Sequence, residues 1–372
     1  MLDFSKVSDR RGWRSKKWSR FNEDVLPLPV ADMDCAIAEP IEAALAARVA
    51  HGIFGYDHPP ADAIDVFVQH CQRQYDWTVD PSWVVPVAGV VPAQFAATRA
   101  FSTGGKIGIP NPIYHSFPRA PDIGRAEAVS IPSVMEEDRE TLDLTALEAC
   151  MQDPDNAGLS LLCNPHNPGG AVYRIDELNQ IAAMAATHQN VLVSDEIWAD
   201  LILDDLTHHP MAKVSPEWGV SILAATKTWN IAGLALAFTV IPNAELRSKF
   251  EQALMGYPEP SYMAWIATTT AYSEGEVWRQ ALLSHLRDQR QLMQDTIDRL
   301  PGLSMTQLQG TYLAWVDCRS LNRAGLHADC VAAGLGPDDG APYGKPGFLR
   351  FNLACSRELL LEALERFGQV VK

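Results

Sequence analysis

The chain has 372 residues, 47% of them hydrophobic and 20% charged, with a formal net charge of −16. That length suits a large domain plus a smaller one, and the composition is that of an ordinary globular enzyme. The acidic balance, with no Lys/Arg cluster to offset it, argues against nucleic acid as a partner.

Residues 1–35 read as irregular and rich in charge and Trp, with Pro27 and Pro29 bracketing an extended piece that ends Ala31-Asp32-Met33-Asp34. Two acids around a methionine resemble half a metal site, but no third ligand is near, so a structural or substrate-proximal role is the stronger reading. A helix is expected over 39–51, started by Pro40 and stopped by Gly52. Beyond it, 52–56 is a loop with two glycines and two aromatics, Phe54 and Tyr56.

From about residue 80 the pattern becomes strand then helix, repeatedly. Apolar runs of strand length occur at 84–87, 106–109, 126–131, 159–162, 191–194, 221–224 and 234–241, with helical segments at 93–101, 144–151 and 175–187. Continuous apolar strands alternating with helices predict an α/β fold whose mostly parallel sheet is covered on both faces. A long helical region over 262–300, broken near Glu274-Gly275, leads to strands at 311–317 and 348–354 and a last helix begun by Ser356. The expected division is 1–50 as an N-terminal segment joining the small domain, 51–270 as the large domain, and 271–372 as a smaller α+β domain.

Seven cysteines are scattered without a C-x-x-C pair, which suits free thiols in a reducing, cytoplasmic setting. No run of about 18 apolar residues predicts a membrane span. None of the ten histidines has metal-ligand spacing, so no metal site is expected.

Ligands in such sheets bind at the carboxyl ends of the strands. After 84–87 comes Ala88-Gly89-Val90, where a helix start can place N–H groups on an anion; for this piece alone an ordinary βα turn is the commoner case. After 106–109 comes Tyr114, an aromatic that can stack on a flat ring. After 159–162 comes Cys163-Asn164-Pro165-His166-Asn167-Pro168-Gly169-Gly170, whose Asn-Pro steps hold the backbone extended and then turn it. After 191–194 comes Asp195, either a helix cap or the partner of a protonated ring nitrogen. After 221–224 come Thr226 and Lys227. A lysine between two apolar runs is costly to desolvate, and burial lowers an amine's pKa toward that of a nucleophile or base. Taken alone, a strand-end lysine facing solvent is the commoner case. On the late strand, Arg350 shares a face with Asn352 and is suited to a bidentate grip on a carboxylate, or else faces solvent.

Taken together, Gly89, Tyr114, Asn167, Asp195, Lys227 and Arg350 resemble the ordered set of the fold-type I pyridoxal-phosphate enzymes. The segments 29–34, 51–56, 164–170, 194–197, 227–233 and 348–354 are similar to the MalY/PatB-type carbon–sulfur β-lyases within that superfamily. The resemblance implies that Lys227 carries the cofactor as a Schiff base and that Asp195 holds the pyridine nitrogen. It implies that Asn167 binds the ring hydroxyl and Tyr114 stacks on the ring. Gly89, Val90 and Thr226 would contact the phosphate, with Tyr56 reaching it from the partner subunit of a homodimer. Arg350, with Asn167, would hold the substrate. The implied reaction is β-elimination from L-cystathionine or another S-substituted L-cysteine. The same residues serve transamination, so a class I/II aminotransferase is the alternative. Three positions depart from the relatives: Trp198 replaces a polar residue, Ala225 lacks a hydroxyl, and Ala235 stands where a phosphate-binding arginine is common.

Overall fold

The computed structural model describes Phe4 and residues 10–372. Its central sheet has eight strands: β1 Val84–Val87, β2 Gly105–Asn111, β3 Ala126–Glu136, β4 Arg139–Leu142, β5 Asn156–Cys163, β6 Val191–Asp195, β7 Gly219–Leu223 and β8 Ala237–Val240. In space they lie in the order β1-β8-β7-β6-β5-β2-β3-β4. Strands β7, β6, β5, β2 and β3 are parallel neighbours. Strand β8 runs antiparallel to both β1 and β7, so those two point the same way. Strand β4 turns back along β3 at the edge. The predicted mostly parallel sheet is therefore present, and the ends of β1, β2, β5, β6 and β7 open on one side.

The helices of the chain include α1 Glu39–His51, α2 Ala63–Tyr75, α3 Val90–Phe101, α4 Leu144–Gln152, α5 Ile175–His188, α6 Ala244–Ala253, α7 Tyr262–Glu274, α8 Glu276–Ile297 and α9 Arg357–Val371. Strands β6 and β7 are buried at every residue, as unalternating apolar runs require. Val191 and Val193 pack with Ala93 and Ala97 of α3 on one face of the sheet. Leu192, one residue out of phase, packs with Leu147 of α4 and Ile181 of α5 on the other. A side-chain period of two on a strand produces this division directly.

Helix starts follow local chemistry. Pro40 opens α1, and Gly52 closes it at φ 76°. Ser261 Oγ accepts from the Ala264 N–H at the start of α7, and Ser356 Oγ accepts from Leu359 N–H at the start of α9. The break between α7 and α8 falls at Gly275, whose packing explains it. A Cβ there would lie 2.3 Å from Trp229 Nε1, and that indole donates to the Gly275 carbonyl at 3.0 Å. Of these helices, α2 and α6 lie outside the segments expected to be helical from the sequence. Helix α6 is short and buries only Leu246 and Phe250, whereas α2 buries Ala63, Phe67, His70, Cys71 and Tyr75 at helical spacing, a stripe that is legible in the sequence.

A second sheet is antiparallel throughout: Ser304–Met305, β9 Leu313–Asp317, β10 Phe348–Asn352 and Asp338–Asp339, in that order. The N-terminal segment runs to this part of the molecule, where Leu26–Pro27 pairs in parallel with Leu335–Gly336. No helix among the described residues is long and apolar enough to cross a membrane.

Residues 29–35 tie the two sheets together. Asn352 Nδ2 donates to the Val30 and Asp32 carbonyls, and Arg350 donates to the Pro29 carbonyl. From the other side, Asn230 accepts from Met33 N–H and donates to the Met33 and Cys35 carbonyls. Asp34 is fully buried, bonded to Lys17 Nζ at 2.6 Å and to Trp18 Nε1 at 2.8 Å. Losing one partner of such a pair costs about 3–5 kcal/mol, so Asp34 is an anchor for this segment. The two acids of the Asp-Met-Asp motif are thus committed to protein partners, Asp32 to Arg10 at 2.7 Å. Among the described residues no cluster of metal-binding side chains exists.

Candidate active site

The carboxyl ends of the central strands and the second sheet enclose a cavity of about 490 Å³. Gly89, Val90, Tyr114, Asn167, Asp195, Thr226, Lys227 and Arg350 all line it, although they span 262 positions of sequence from 89 to 350. Tyr56 does not; it lies fully exposed on the loop after α1, beside exposed Ile53 and Phe54.

Lys227 follows β7 by four residues, and its Nζ donates to the Ala31 carbonyl at 2.7 Å. The amine lies 5.6 Å from the centroid of the Trp198 ring. Burial, with the Arg350 cation next in importance, lowers the amine pKa to about 8. Trp198 is itself buried and meets Tyr312 edge-on at 4.9 Å.

Asp195 ends β6. Its Oδ1 accepts from the Ile197 N–H at 3.1 Å, and no cation pairs with it among the described residues. Burial raises its pKa to about 7, against the smaller opposing effect of that backbone bond. A buried carboxylate without a counter-ion is the group that gains most from a positive charge brought into the cavity.

Gly89 stands where β1 turns into α3 and takes φ 113°, a conformation L side chains rarely adopt. The first turn of α3 has N–H groups with no acceptor inside the helix. A Cβ on Gly89 would touch Ala235 Cβ at 3.4 Å, so the small side chain at 235 is in contact range of this turn. Tyr114 is half-buried, and burial holds its hydroxyl above the usual phenol range.

Arg350 is buried and almost fully engaged. Nη1 donates to Asn167 Oδ1 at 2.9 Å; Nη2 donates to the Pro29 carbonyl at 2.8 Å and to Asp338 Oδ2 at 2.9 Å. Its Nε is buried with no partner among the described residues. The amide beside it is therefore Asn167, from the opposite sheet, and not Asn352, which shares its strand face but holds residues 30 and 32.

Asp338, Tyr343, Arg20 and His115 also line the cavity and were not singled out in the sequence. Asp338 is the cross-strand partner of Arg350. It accepts from Tyr343 Oη at 2.7 Å and from Arg20 at 2.9 Å. His115 is held below the ordinary imidazole range by burial and then by Arg350. The Gly/Pro/Asp-rich composition of 334–347 marked a loop, but a two-residue strand carries no periodicity to read.

The sequence pattern of the aminotransferase class I and II family matches residues 28–367. Cystathionine beta-lyase PatB of Bacillus subtilis (strain 168) is 31% identical over 382 residues, covering 98% of each chain. Among solved structures, that of OvoB superposes with a TM-score of 0.95 at 36% identity, covering 100% of this chain and 99% of its own. Cystalysin from Treponema denticola, which contains a pyridoxal 5'-phosphate cofactor, gives 0.94 at 26% identity, covering 100% and 98%.

Proposed function

The chain belongs to the aminotransferase class I and II family, and from that premise we propose that it is a pyridoxal-phosphate-dependent carbon–sulfur β-lyase. Its substrate would be L-cystathionine or another S-substituted L-cysteine, and its products a thiol, pyruvate and ammonia. The observation that carries the reading is the pairing of a counter-ion-free buried Asp195 with a low-pKa Lys227 in one cavity. Its likeness to PatB, whose name states the lyase reaction, selects elimination over transamination.

The residues fit the cofactor. Asp195 lacks only a cation such as a protonated ring nitrogen. The open turn at Gly89 and Val90, with Thr226 beside it, suits a phosphate. Asn167 has its Oδ1 spent on Arg350 and its amide N–H groups available for a ring hydroxyl, and Tyr114 is the stacking face. When bound, the cofactor supplies an electron sink for charge developing at the substrate Cα. Lys227 would hold the cofactor covalently and would be the base of the reaction: its Nζ would take the Cα proton and return a proton to the departing sulfur. Arg350 orients the substrate by its α-carboxylate. Asn167 and Asp338 fix the plane of that guanidinium before the substrate arrives, which lowers the ordering cost of binding.

The same reading makes 51–270 the cofactor-binding domain and 271–372, joined by 1–50, the small domain. It makes the enzyme a homodimer, with Tyr56 completing the phosphate site of its neighbour. Exposed Ile53, Phe54 and Tyr56 on one loop support a surface that a second copy covers. Seven free cysteines, six of them buried, support a reducing cytoplasmic setting.

The deciding assay is incubation of the holoenzyme with cystathionine and no keto acid. Pyruvate and free thiol are the expected products. If neither forms while 2-oxoglutarate drives glutamate formation from an amino acid, the enzyme is an aminotransferase. For the shared site, mixtures of inactive Tyr56→Phe and Lys227→Ala proteins should recover activity through hybrid dimers. Light scattering that finds an active monomer would exclude the arrangement.

A further inference from the structure

The outer wall of the cavity holds more positive charge than an α-carboxylate clamp needs. Asp338 sits between two guanidiniums, with Oδ2 on Arg350 and Oδ1 on Arg20, each at 2.9 Å. One carboxylate shared by two arginines leaves one positive charge uncompensated. The two arginines are not equivalent. Arg350 is buried; Nη2 is filled by Pro29 and Asp338, and Nη1 gives one hydrogen to Asn167 and keeps the other for a ligand. The Arg20 side chain is 43% exposed and lines the cavity. Only its Nη2 has an acceptor among the described residues, so Nη1 and Nε remain free to donate. Arg20 is also close enough to the cavity interior to act, with Arg350, on the His115 imidazole.

We propose that Arg20 binds a second, distal carboxylate on the sulfur substituent, so that the preferred substrates are S-substituted cysteines whose leaving thiol is itself an acid. The assignment rests on Arg350 being the α-carboxylate clamp. With that end of the substrate held on Arg350, the chain beyond sulfur extends along the wall that Asp338 and Arg20 form. Asp338 pins Arg20 by one nitrogen, which orients the free N–H groups without neutralising both cations. An uncharged or alkyl substituent would leave those donors to water.

The test separates this assignment from the lyase reading by measuring binding as well as turnover. L-2-Aminopimelate has the skeleton of S-(2-carboxyethyl)-L-cysteine with methylene in place of sulfur, so it cannot be eliminated. Its ω-amide differs only in the distal charge. Calorimetry on the holoenzyme should show the acid binding about tenfold tighter than the amide, the lower end expected for a charge-assisted hydrogen bond in a half-exposed site. Arg20→Met should bring that ratio to within about twofold of unity, and Arg20→Lys should retain part of it. Equal binding of acid and amide by the wild type would overturn the assignment, as would an unchanged ratio in Arg20→Met. In parallel, pyruvate release from S-(2-carboxyethyl)-L-cysteine and S-(2-carbamoylethyl)-L-cysteine reports on the reaction. An acid preference in binding with no pyruvate from either thioether keeps Arg20's role and removes the lyase.

Discussion

Asp195 and Asp338 are both buried aspartates on the same cavity, and they differ in what meets them. Asp195, at the end of a central strand, accepts one backbone N–H and, among the described residues, no cation, and its pKa rises to about 7. Asp338, on the second sheet, accepts from two arginines and a tyrosine. The first wall is left electrostatically incomplete and gains when a positively charged ring nitrogen enters; the second is assembled in advance and holds its shape. An incomplete site tunes reactivity at the cost of stability, while a complete one positions a ligand with little reorganisation. On the proposed reading the cavity divides its labour, with chemistry at the strand ends of the large sheet and recognition on the small one.

Three substitutions would break or sharpen this division. The largest effect is expected at Lys227, the reactive amine of the incomplete wall. Lys227→Ala should lower pyruvate release at least about a thousandfold, because both the covalent anchor and the base are lost. The visible absorption of the bound cofactor should disappear with it, and retention of that band at full strength would show a different anchor.

Next is Asp195→Asn, which keeps the shape but cannot stabilise a cationic nitrogen. A fall in kcat of about a hundredfold is expected. The cofactor-free protein should respond in the opposite sense. A carboxyl whose folded pKa is raised contributes most to stability below its unfolded value near 3.8, and that contribution is lost as pH rises through about 7. Cofactor-free Asp195→Asn should thus melt higher than wild type at pH 8, with the gap closing toward pH 4. Identical melting curves at pH 8 would mean that Asp195 is not the uncompensated group described above.

The smallest effect belongs to the assembled wall. Arg350→Lys keeps the charge and loses the planar fork, so substrate binding should weaken by about 1–3 kcal/mol, seen as a higher KM at nearly constant kcat. A drop in kcat without a change in KM would move Arg350 from recognition to chemistry.

Much of this was legible from local patterns. Unalternating runs at 191–194 and 221–224 announced buried parallel strands, Pro40 and Gly52 bracketed α1, and a glycine marked the break between α7 and α8. The segments around Asn167, Asp195 and Lys227 stood at strand ends, where a parallel sheet gathers its ligands. Helix α6 was missed because its buried face is narrow, while α2 carries a stripe of helical period at 63, 67, 70, 71 and 75 that local pattern does reveal. Arg20, His115, Asp338 and Tyr343 were missed for a different reason. Nothing local distinguishes Arg20 from any solvated arginine; it becomes a cavity residue only because a strand of two residues places Asp338 across from Arg350, and Asp338 in turn captures Arg20. Periodicity and turn chemistry act over a few residues, so the sequence determines which segments become strands and helices and which reactive groups stand at their ends. Charge compensation acts through space, so which of those groups is left without a partner is decided only when the two sheets close on one another.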